Sequence, residues 1–399
     1  MRQPGVERYL PTNGSAAEAP SLKAEVLPMV RGFLDDQTTA TLDTPAVVVD
    51  LDRVDARIGG MAELMLERGV ALRPHAKTHK SLAFARRQLA AGAVGLTVAT
   101  IGEAEVFADD GVEDLFIGYP VIAHGPKAER LRRLADRCRL SVGVDSVTGI
   151  ESIASAFAAR QATGAAPVVV IEVDVGGART GVRPENVLVL AQAAEARGLT
   201  VGGVFTHGGH GYGGRAERVA AADDEVDGLT SAAERLRANG IDARIVSAGS
   251  TPTAGLSARG AITEERPGTY IFGDRQQAFL ADGALDDTAL LVAATVVSHG
   301  AGAGFVVDAG AKILAKDVAP YLPGHGSVVG YPEAVIERVN DHHGVVELPA
   351  GASRPAIGDV VWIAPNHVCP VVNLVDEYVV AQGGRIVGRW PVDARGRNA

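Results

Sequence analysis

The chain has 399 residues, of which 47% are apolar and 22% charged, and its formal charge is −10. That length accommodates two domains, or one large barrel with an appendage, while the acidic balance argues against a nucleic-acid or anionic-membrane surface. Two cysteines, Cys138 and Cys369, cannot make a disulfide framework, the N-terminus lacks the apolar stretch of a signal peptide, and no uncharged apolar run nears the ~20 residues of a membrane span, so a cytoplasmic protein is expected.

Residues 1–43 are rich in Pro, Gly and Ala and read as a peripheral segment whose candidate packing partner is the later β-domain. From "TPAVVVDLD" (Thr44 to Asp52) onward, β-like runs alternate with Ala-rich amphipathic stretches such as "DARIGGMAELMLERG", "VTGIESIASAFAARQ" and "PENVLVLAQAAEARG". The β-like runs are "ALRPHAK", "VGLTVAT", "DLFIGYP", "LSVGVDS", "VVVIEVDV", "LTVGGVFTHG", "RIVSAGST" and "ITEERPGTYI". Continuous Val/Ile/Leu runs suit parallel strands covered on both faces by helices. Eight of them predict a (β/α)8 TIM-type barrel over residues 44–284. Beyond 285 the texture changes to short apolar runs between Gly-rich turns: "ALLVAATVVSHG", "GFVVDAG", "HGVVEL", "GDVVWIAP" and "EYVVAQGGRIVGRW". These predict an antiparallel β-domain over 285–399. "GAGAGFVV" is no dinucleotide fingerprint, because its third glycine is missing and no helix is expected after it.

Barrel enzymes gather functional groups at the C-terminal ends of their strands. There, after the first barrel run, lies "RPHAKTHK" (Arg73 to Lys80). A solvated basic patch or a structural ion pair is one reading. The other is a reactive amine at Lys77, whose pKa would be lowered by desolvation and by Arg73, His75, His79 and Lys80, as suits a Schiff-base lysine. Gly249, Ser250 and Thr251 of "SAGSTPTA" follow the seventh run, and Gly268, Thr269 and Tyr270 of "RPGTYIFG" the eighth. Glycines that admit an oxyanion to the backbone, with hydroxyls beside them, favour a phosphate-bearing ligand at these two positions. "THGGHGYGG" brings His207, His210 and Tyr212 into a loop suited to ligand contact, and "DVGGARTG" offers Arg179 to a carboxylate or phenolate. In "PNHVCP", an extended strand would turn His367 and Cys369 to one side. That pair suits Zn²⁺, in a catalytic rather than a four-ligand structural site; simple core packing is the alternative.

Taken in chain order, "TPAVVVDLD", "RPHAKTHK", "DVGGARTG", "HGGHGYG", "SAGSTPT", "RPGTYIFGD", "VDAGAK" and "GDVVWIAPNHVCP" resemble the D-threonine aldolase/D-serine dehydratase family. This is the alanine-racemase-like group of fold type III pyridoxal phosphate enzymes, and the likeness runs from Thr44 to about Asp376. It implies pyridoxal 5′-phosphate linked to Lys77, with phosphate contacts from Gly249, Ser250, Thr251, Gly268 and Thr269. Arg179 and Tyr212 are implied near the cofactor ring or substrate. His367 matches a metal-binding histidine, with Cys369 as its partner on a divalent ion, Zn²⁺ or alternatively Mn²⁺ or Mg²⁺. A homodimer acting on a small D-amino acid is implied as well. Cysteine at that position goes with dehydratases and aspartate with aldolases. The expected reaction is therefore dehydration of a β-hydroxy D-amino acid of the D-serine or D-threonine type to a keto acid and ammonia. Retro-aldol cleavage to glycine and an aldehyde is the alternative, with a racemase or a non-catalytic pyridoxal phosphate carrier behind it. One departure is His342 in "DHHG", where relatives carry an acidic residue that would orient a metal ligand.

Overall fold

The computed structural model describes residues 33–158, 166–281, 283 and 285–399; most of the expected N-terminal segment, residues 1–32, and the end of one expected helix lie outside the described residues. Eight strands form a parallel sheet: β2 (Ala71–Leu72), β3 (Leu96–Val98), β4 (Asp114–Pro120), β5 (Arg139–Val144), β6 (Val168–Glu172), β7 (Val201–Phe205), β8 (Ile245–Ala248) and β9 (Glu264–Glu265). Their order is β2-β9-β8-β7-β6-β5-β4-β3, and a parallel bridge between His75 and Thr97 joins the two ends of the sheet. The eight strands coincide with the eight β-like runs. Their apolar residues are buried on both faces because helices cover the outside while side chains fill the inside. Phe116 and Phe205 meet edge to face inside the barrel, centroids 5.0 Å apart, and pack with Val170.

A second sheet holds β1 (Ala46–Asp50), β10 (Leu290–Ser298), β11 (Phe305–Val307), β12 (Gly326–Val328), β13 (Val335–Val339), β14 (Gly344–Glu347), β15 (Val360–Pro365), β16 (Glu377–Gln382) and β17 (Arg385–Pro391). The described ladders among residues 285–399 are antiparallel, as expected. The sheet is nevertheless mixed, because β1 inserts between β10 and β16 and runs parallel to β16. "AVVVD" reads equally well as a barrel strand, since it is buried on both faces in either place; only its long-range pairing distinguishes the two. Phe33, Leu34 and Leu42 cover the outer face of this sheet against Trp362, Val379 and Ala381.

The two sheets are joined by a shared aromatic cluster. Phe84, from the helix Leu82–Ala90, touches Phe272, Tyr378 and Trp390 at centroid distances of 5.4, 5.4 and 5.2 Å. Fully burying a ring such as Phe84, Phe272 or Tyr378 is worth about 1.5–3 kcal/mol, so the cluster contributes several kcal/mol to the contact between the two sheets. No helix of the described residues is long and apolar enough to cross a membrane.

Candidate active site

A recess opens at the C-terminal ends of the barrel strands. Lys77 enters it from the short 3₁₀ turn Ala76–Thr78 that follows β2. Upstream the turn is held by His75, whose backbone N–H donates to the Pro267 carbonyl (2.9 Å) and whose Nδ1 accepts from the Lys77 N–H (3.4 Å). Gly249, Ser250 and Thr251 line the same recess after β8, Gly268 and Thr269 after β9, Arg179 after β6, and Tyr212 after β7. Loops almost 200 residues apart in sequence thus meet around one amine.

The glycines are required by contact. Gly249 has φ +99, and a Cβ there would overlap the Glu265 carboxylate; one on Gly268 would lie 2.7 Å from Thr78 Oγ1. Two backbones free of side chains, flanked by three hydroxyls, make a cradle that admits a phosphate. Glu225 Oε1 fixes the cradle from below by accepting from the Gly208 N–H (2.8 Å) and the Gly249 N–H (3.2 Å), which ties the loops after β7 and β8 together.

The electrostatics of "RPHAKTHK" differ from the expectation. Arg73 is neutralised by Glu264 and Asp114, and Lys80 pairs with Glu103 at 3.2 Å. Burial first, then Lys77 and Arg266, holds His75 well below the usual imidazole range; burial pushes His79 down to about 4. The run therefore supplies no free cations to Lys77. Its amine is nevertheless held below the ordinary lysine range, chiefly by burial, with Arg179 and Arg266 acting in the same sense and Cys369 and Glu103 against it. No ion pair of Lys77 occurs among the described residues, so the structural-pair reading has no partner.

Arg266 is the most informative residue that sequence reasoning passed over. It is fully buried against Phe116 and Phe205, donates to Ser247 Oγ (2.6 Å) and to the Thr206 carbonyl, and faces the recess. A cation inside "ITEERPGTYI" was the available signal. His75, Thr78, Gly118 and His207 also line the recess; His207 is pushed down to about 3, mainly by burial and then by Lys77, Arg179 and Arg266. Tyr212 is half-buried, and its desolvation raises the phenol well above the ordinary range, with Cys369 adding to the effect. His210 turns instead to Asp224, with Nε2 3.0 Å from Oδ2.

The second β-domain element of the site is not the extended strand expected. His367 is the extended residue capping a short helix, Val368–Val372, and Cys369 lies in that helix's first turn. The helix begins there because the buried Asp274 carboxylate accepts from the Val368 N–H (3.2 Å). Imidazole and thiol still converge. Burial alone would discharge both, but each stabilises the other's charge: Cys369 and then Asp317 raise His367 to about 11, and His367 followed by Lys77 lowers Cys369 below the ordinary thiol range. Thr78 Oγ1 is 3.3 Å and Thr269 Oγ1 3.9 Å from Cys369 Sγ, so this pair borders the Lys77 recess.

Asp317 Oδ2 faces His367 Nδ1 at 3.3 Å, whereas His342 is exposed beside Lys312, 3.3 Å from its Nζ. The carboxylate at the imidazole thus comes from a segment that carried no sequence signal. Among the described residues no group of three or more His, Cys, Asp or Glu side chains is arranged to hold a metal. His367 and Cys369 are two protein donors of a soft type, with Asp317 Oδ2 buried behind them and lacking a hydrogen-bond donor of proper geometry. That donor set fits a divalent ion with open positions. The recess, for its part, fits pyridoxal phosphate: a buried amine of lowered pKa faces a glycine–hydroxyl cradle.

Comparison with known proteins assigns this arrangement to a class. Residues 49–276 match the model of the alanine racemase N-terminal domain and residues 289–381 that of the putative serine dehydratase domain. The chain belongs to this alanine-racemase-like family of fold type III pyridoxal phosphate enzymes, within the branch of dehydratases and aldolases.

Within that branch it is 39% identical to the D-threo-3-hydroxyaspartate dehydratase of Delftia sp. (strain HT23), over 88% of this chain and 98% of that protein. It is 36% identical to the D-threonine aldolase of Arthrobacter sp., over 90% of this chain and 94% of that protein. The solved Delftia dehydratase superposes with a TM-score of 0.81 at 36% identity, covering 89% of this chain and 98% of that one. Variants of that enzyme have been solved in which a histidine, or the cysteine two residues after it, is replaced by alanine; the cysteine variant is described as metal-free. The alanine racemase of Clostridium difficile 630, at 14% identity and a TM-score of 0.63, shares the fold.

Proposed function

We propose that this chain is a metal-assisted pyridoxal phosphate lyase that dehydrates a β-hydroxy D-amino acid to a 2-keto acid and ammonia. The observation that carries the reading is the juxtaposition of the buried Lys77 amine with the His367–Cys369 pair across Thr78 and Thr269. When bound, pyridoxal phosphate supplies an electrophilic carbonyl and an electron sink for bond cleavage at the substrate's Cα. Gly249, Ser250, Thr251, Gly268 and Thr269 would hold its phosphate; Arg179 and Tyr212 would fix its ring or the substrate; Lys77 would carry it. Lys77, held below its ordinary pKa by burial and by two arginines, is suited to taking a proton from Cα once its amine is free. His367 and Cys369 would hold the divalent ion, Zn²⁺ by the softness of the thiolate, which would supply Lewis acidity toward a β-hydroxyl.

Cys369 supports dehydration over retro-aldol cleavage, because the Delftia relative named as a dehydratase also has a cysteine two residues beyond a histidine. Its printed substrate makes D-threo-3-hydroxyaspartate a candidate beside D-serine and D-threonine. The Arthrobacter relative, named as an aldolase at similar identity, keeps cleavage to glycine and an aldehyde as the second reading. The purified protein, supplied with pyridoxal phosphate and Zn²⁺, is given each of these three substrates while keto acid, ammonia, glycine and aldehyde are quantified. Equal amounts of keto acid and ammonia, abolished by chelation and by Lys77→Ala, are expected. Glycine with an aldehyde would replace dehydration by aldol cleavage, and absence of all products would remove the substrate class. A homodimer is the assembly expected, which light scattering would check.

A further inference from the structure

Lys80, the second lysine of "RPHAKTHK", has no part in the chemistry just described. It is 5% exposed and adopts φ +50, a left-handed conformation that a bulky residue keeps only where its surroundings impose it. Three partners surround its ammonium, matching its three donors: Glu103 at 3.2 Å, Asn373 Oδ1 at 2.8 Å and Asn398 Oδ1 at 3.1 Å. Glu103, in turn, accepts from the Ala99 N–H at 2.7 Å and belongs to the helix Ile101–Asp109. The ammonium therefore bridges a barrel helix and the segment that follows β17.

That segment, residues 393–399, leaves the second sheet and runs onto the barrel. The Asp393 carboxylate accepts from the Leu82 N–H (2.8 Å), the Ala394 N–H donates to the Lys80 carbonyl (2.9 Å), and Ala394 itself is fully buried in the barrel core. Farther on, the Arg397 carbonyl accepts from Thr100 Oγ1, and the Ala399 carbonyl accepts from the Gly102 N–H and Arg130 Nη2, both at 2.9 Å. Tyr378 adds a hydrogen bond from its hydroxyl to the His79 carbonyl. The backbone from His79 to Leu82 is thus gripped at nearly every residue by the β-domain and its C-terminal extension. Lys77 stands two residues upstream, on a turn of three residues held on one side by the His75 N–H at the Pro267 carbonyl (2.9 Å) and on the other by the Lys80 N–H, which donates to the Ala76 carbonyl (2.8 Å).

We infer that Lys80 is a positioning residue: with the strap that follows β17 it locks the turn that carries Lys77, so that the placement of the reactive amine depends on residues 393–399. The inference rests on the assignment of Lys77 as the cofactor lysine. Replacing Lys80 by Met keeps the stem but leaves Glu103 buried without its cation and the left-handed turn without its anchor. Asn398→Ala removes one of the three acceptors and nothing else near the recess.

Both variants are compared with the parent as pyridoxal phosphate holoenzymes. The readouts are the pH titration of the visible band of the lysine-linked cofactor, kcat and KM on the best substrate, and thermal midpoint. A displaced lysine shifts the titration midpoint and lowers kcat by ~10²-fold in Lys80→Met, the scale of a small misplacement of a reacting group, with KM changed far less. Asn398→Ala moves both in the same direction by a smaller amount. A lowered thermal midpoint with unchanged titration and kcat in Asn398→Ala would make the strap structural only and overturn the inference, even if Lys80→Met failed to fold. A parent protein that shows no visible band with pyridoxal phosphate would instead remove the Lys77 assignment, and this inference with it.

Discussion

Gly249→Ala gives the sharpest test of the phosphate cradle, because the same substitution elsewhere in the chain has the opposite sign. At Gly249 the backbone is left-handed, φ +99, which costs about 1–3 kcal/mol for any residue with a Cβ. The new methyl would also overlap the Glu265 carboxylate and stand 3.2 Å from the Arg266 nitrogen. Glu265 is fully buried and is the end of a short side chain held at Ser257 (2.7 Å), so relief means moving the loop, at about a further 1–3 kcal/mol. The sum is about 2–6 kcal/mol, shared between fold stability and cofactor affinity. Gly59, in the middle of the helix Leu51–Arg68 with nothing within 4 Å of its would-be Cβ, should gain about 0.5–1 kcal/mol from the same change. Pyridoxal phosphate titration by absorbance and thermal unfolding of apo and holo forms separate the two contributions. Gly249→Ala with parental cofactor affinity and thermal midpoint would refute the argument that the loop is closed by contact.

Lys77→Ala should abolish both the visible cofactor band and turnover, with the free cofactor spectrum as the check. Asp317→Asn should weaken metal binding ~10–100-fold, the usual cost of losing the carboxylate behind a ligating imidazole, measured by competition with a chromophoric chelator; an unchanged affinity would separate Asp317 from the metal. His79 accepts from the Ser81 N–H through Nδ1 (3.1 Å) and faces Gln88 Oε1 through Nε2 (3.1 Å), so it is neutral with its proton on Nε2. Its folded pKa is depressed to about 4 from an ordinary 6.5. The unfolded chain therefore binds the proton first, and stability is lost as pH falls from 6.5 toward 4, by about 3 kcal/mol from this residue. His79→Asn should flatten that part of the acid-unfolding profile, and an unaltered slope between pH 7 and 4.5 would contradict the assignment.

The barrel was legible because its signal is local: apolar runs such as those of β4, β5 and β6, alternating with amphipathic stretches, declare parallel strands one at a time, and the short β2 and β9 are marked by the loops that follow them. Strand β1 has the same texture, and only its pairing with β10 and β16, over 240 residues away, reveals that it serves the other sheet. Short strands hid for the converse reason. β12 is three residues and β13 carries Glu337 and Arg338 on its exposed side, so neither makes an apolar run. Within the site, Lys77, Arg179, His207, Tyr212 and the glycine–hydroxyl segments after β8 and β9 line one recess, with Cys369 at its border, whereas His210 turns to Asp224 and Tyr270 to Gln88. What sequence could not weigh was neutralisation. "RPHAKTHK" looks strongly cationic, yet Glu264, Asp114 and Glu103 cancel its charges and burial discharges its histidines. The cations that do act on Lys77, Arg179 and Arg266, sit 102 and 189 positions later in the chain. Likewise "PNHVCP" reads as a strand until the Asp274 carboxylate accepts from the Val368 N–H and starts a helix.

Everything proposed for this chain depends on one amine. Reducing the pyridoxal phosphate complex with borohydride and mapping the modified peptide by mass spectrometry asks directly which residue carries the cofactor. The pyridoxyl group is predicted on Lys77 alone, at one per chain, and is lost when Lys77 is replaced by Ala. A label on Lys80 or another lysine, or none on a protein that still turns over a β-hydroxy D-amino acid, would contradict the placement of the chemistry in this recess.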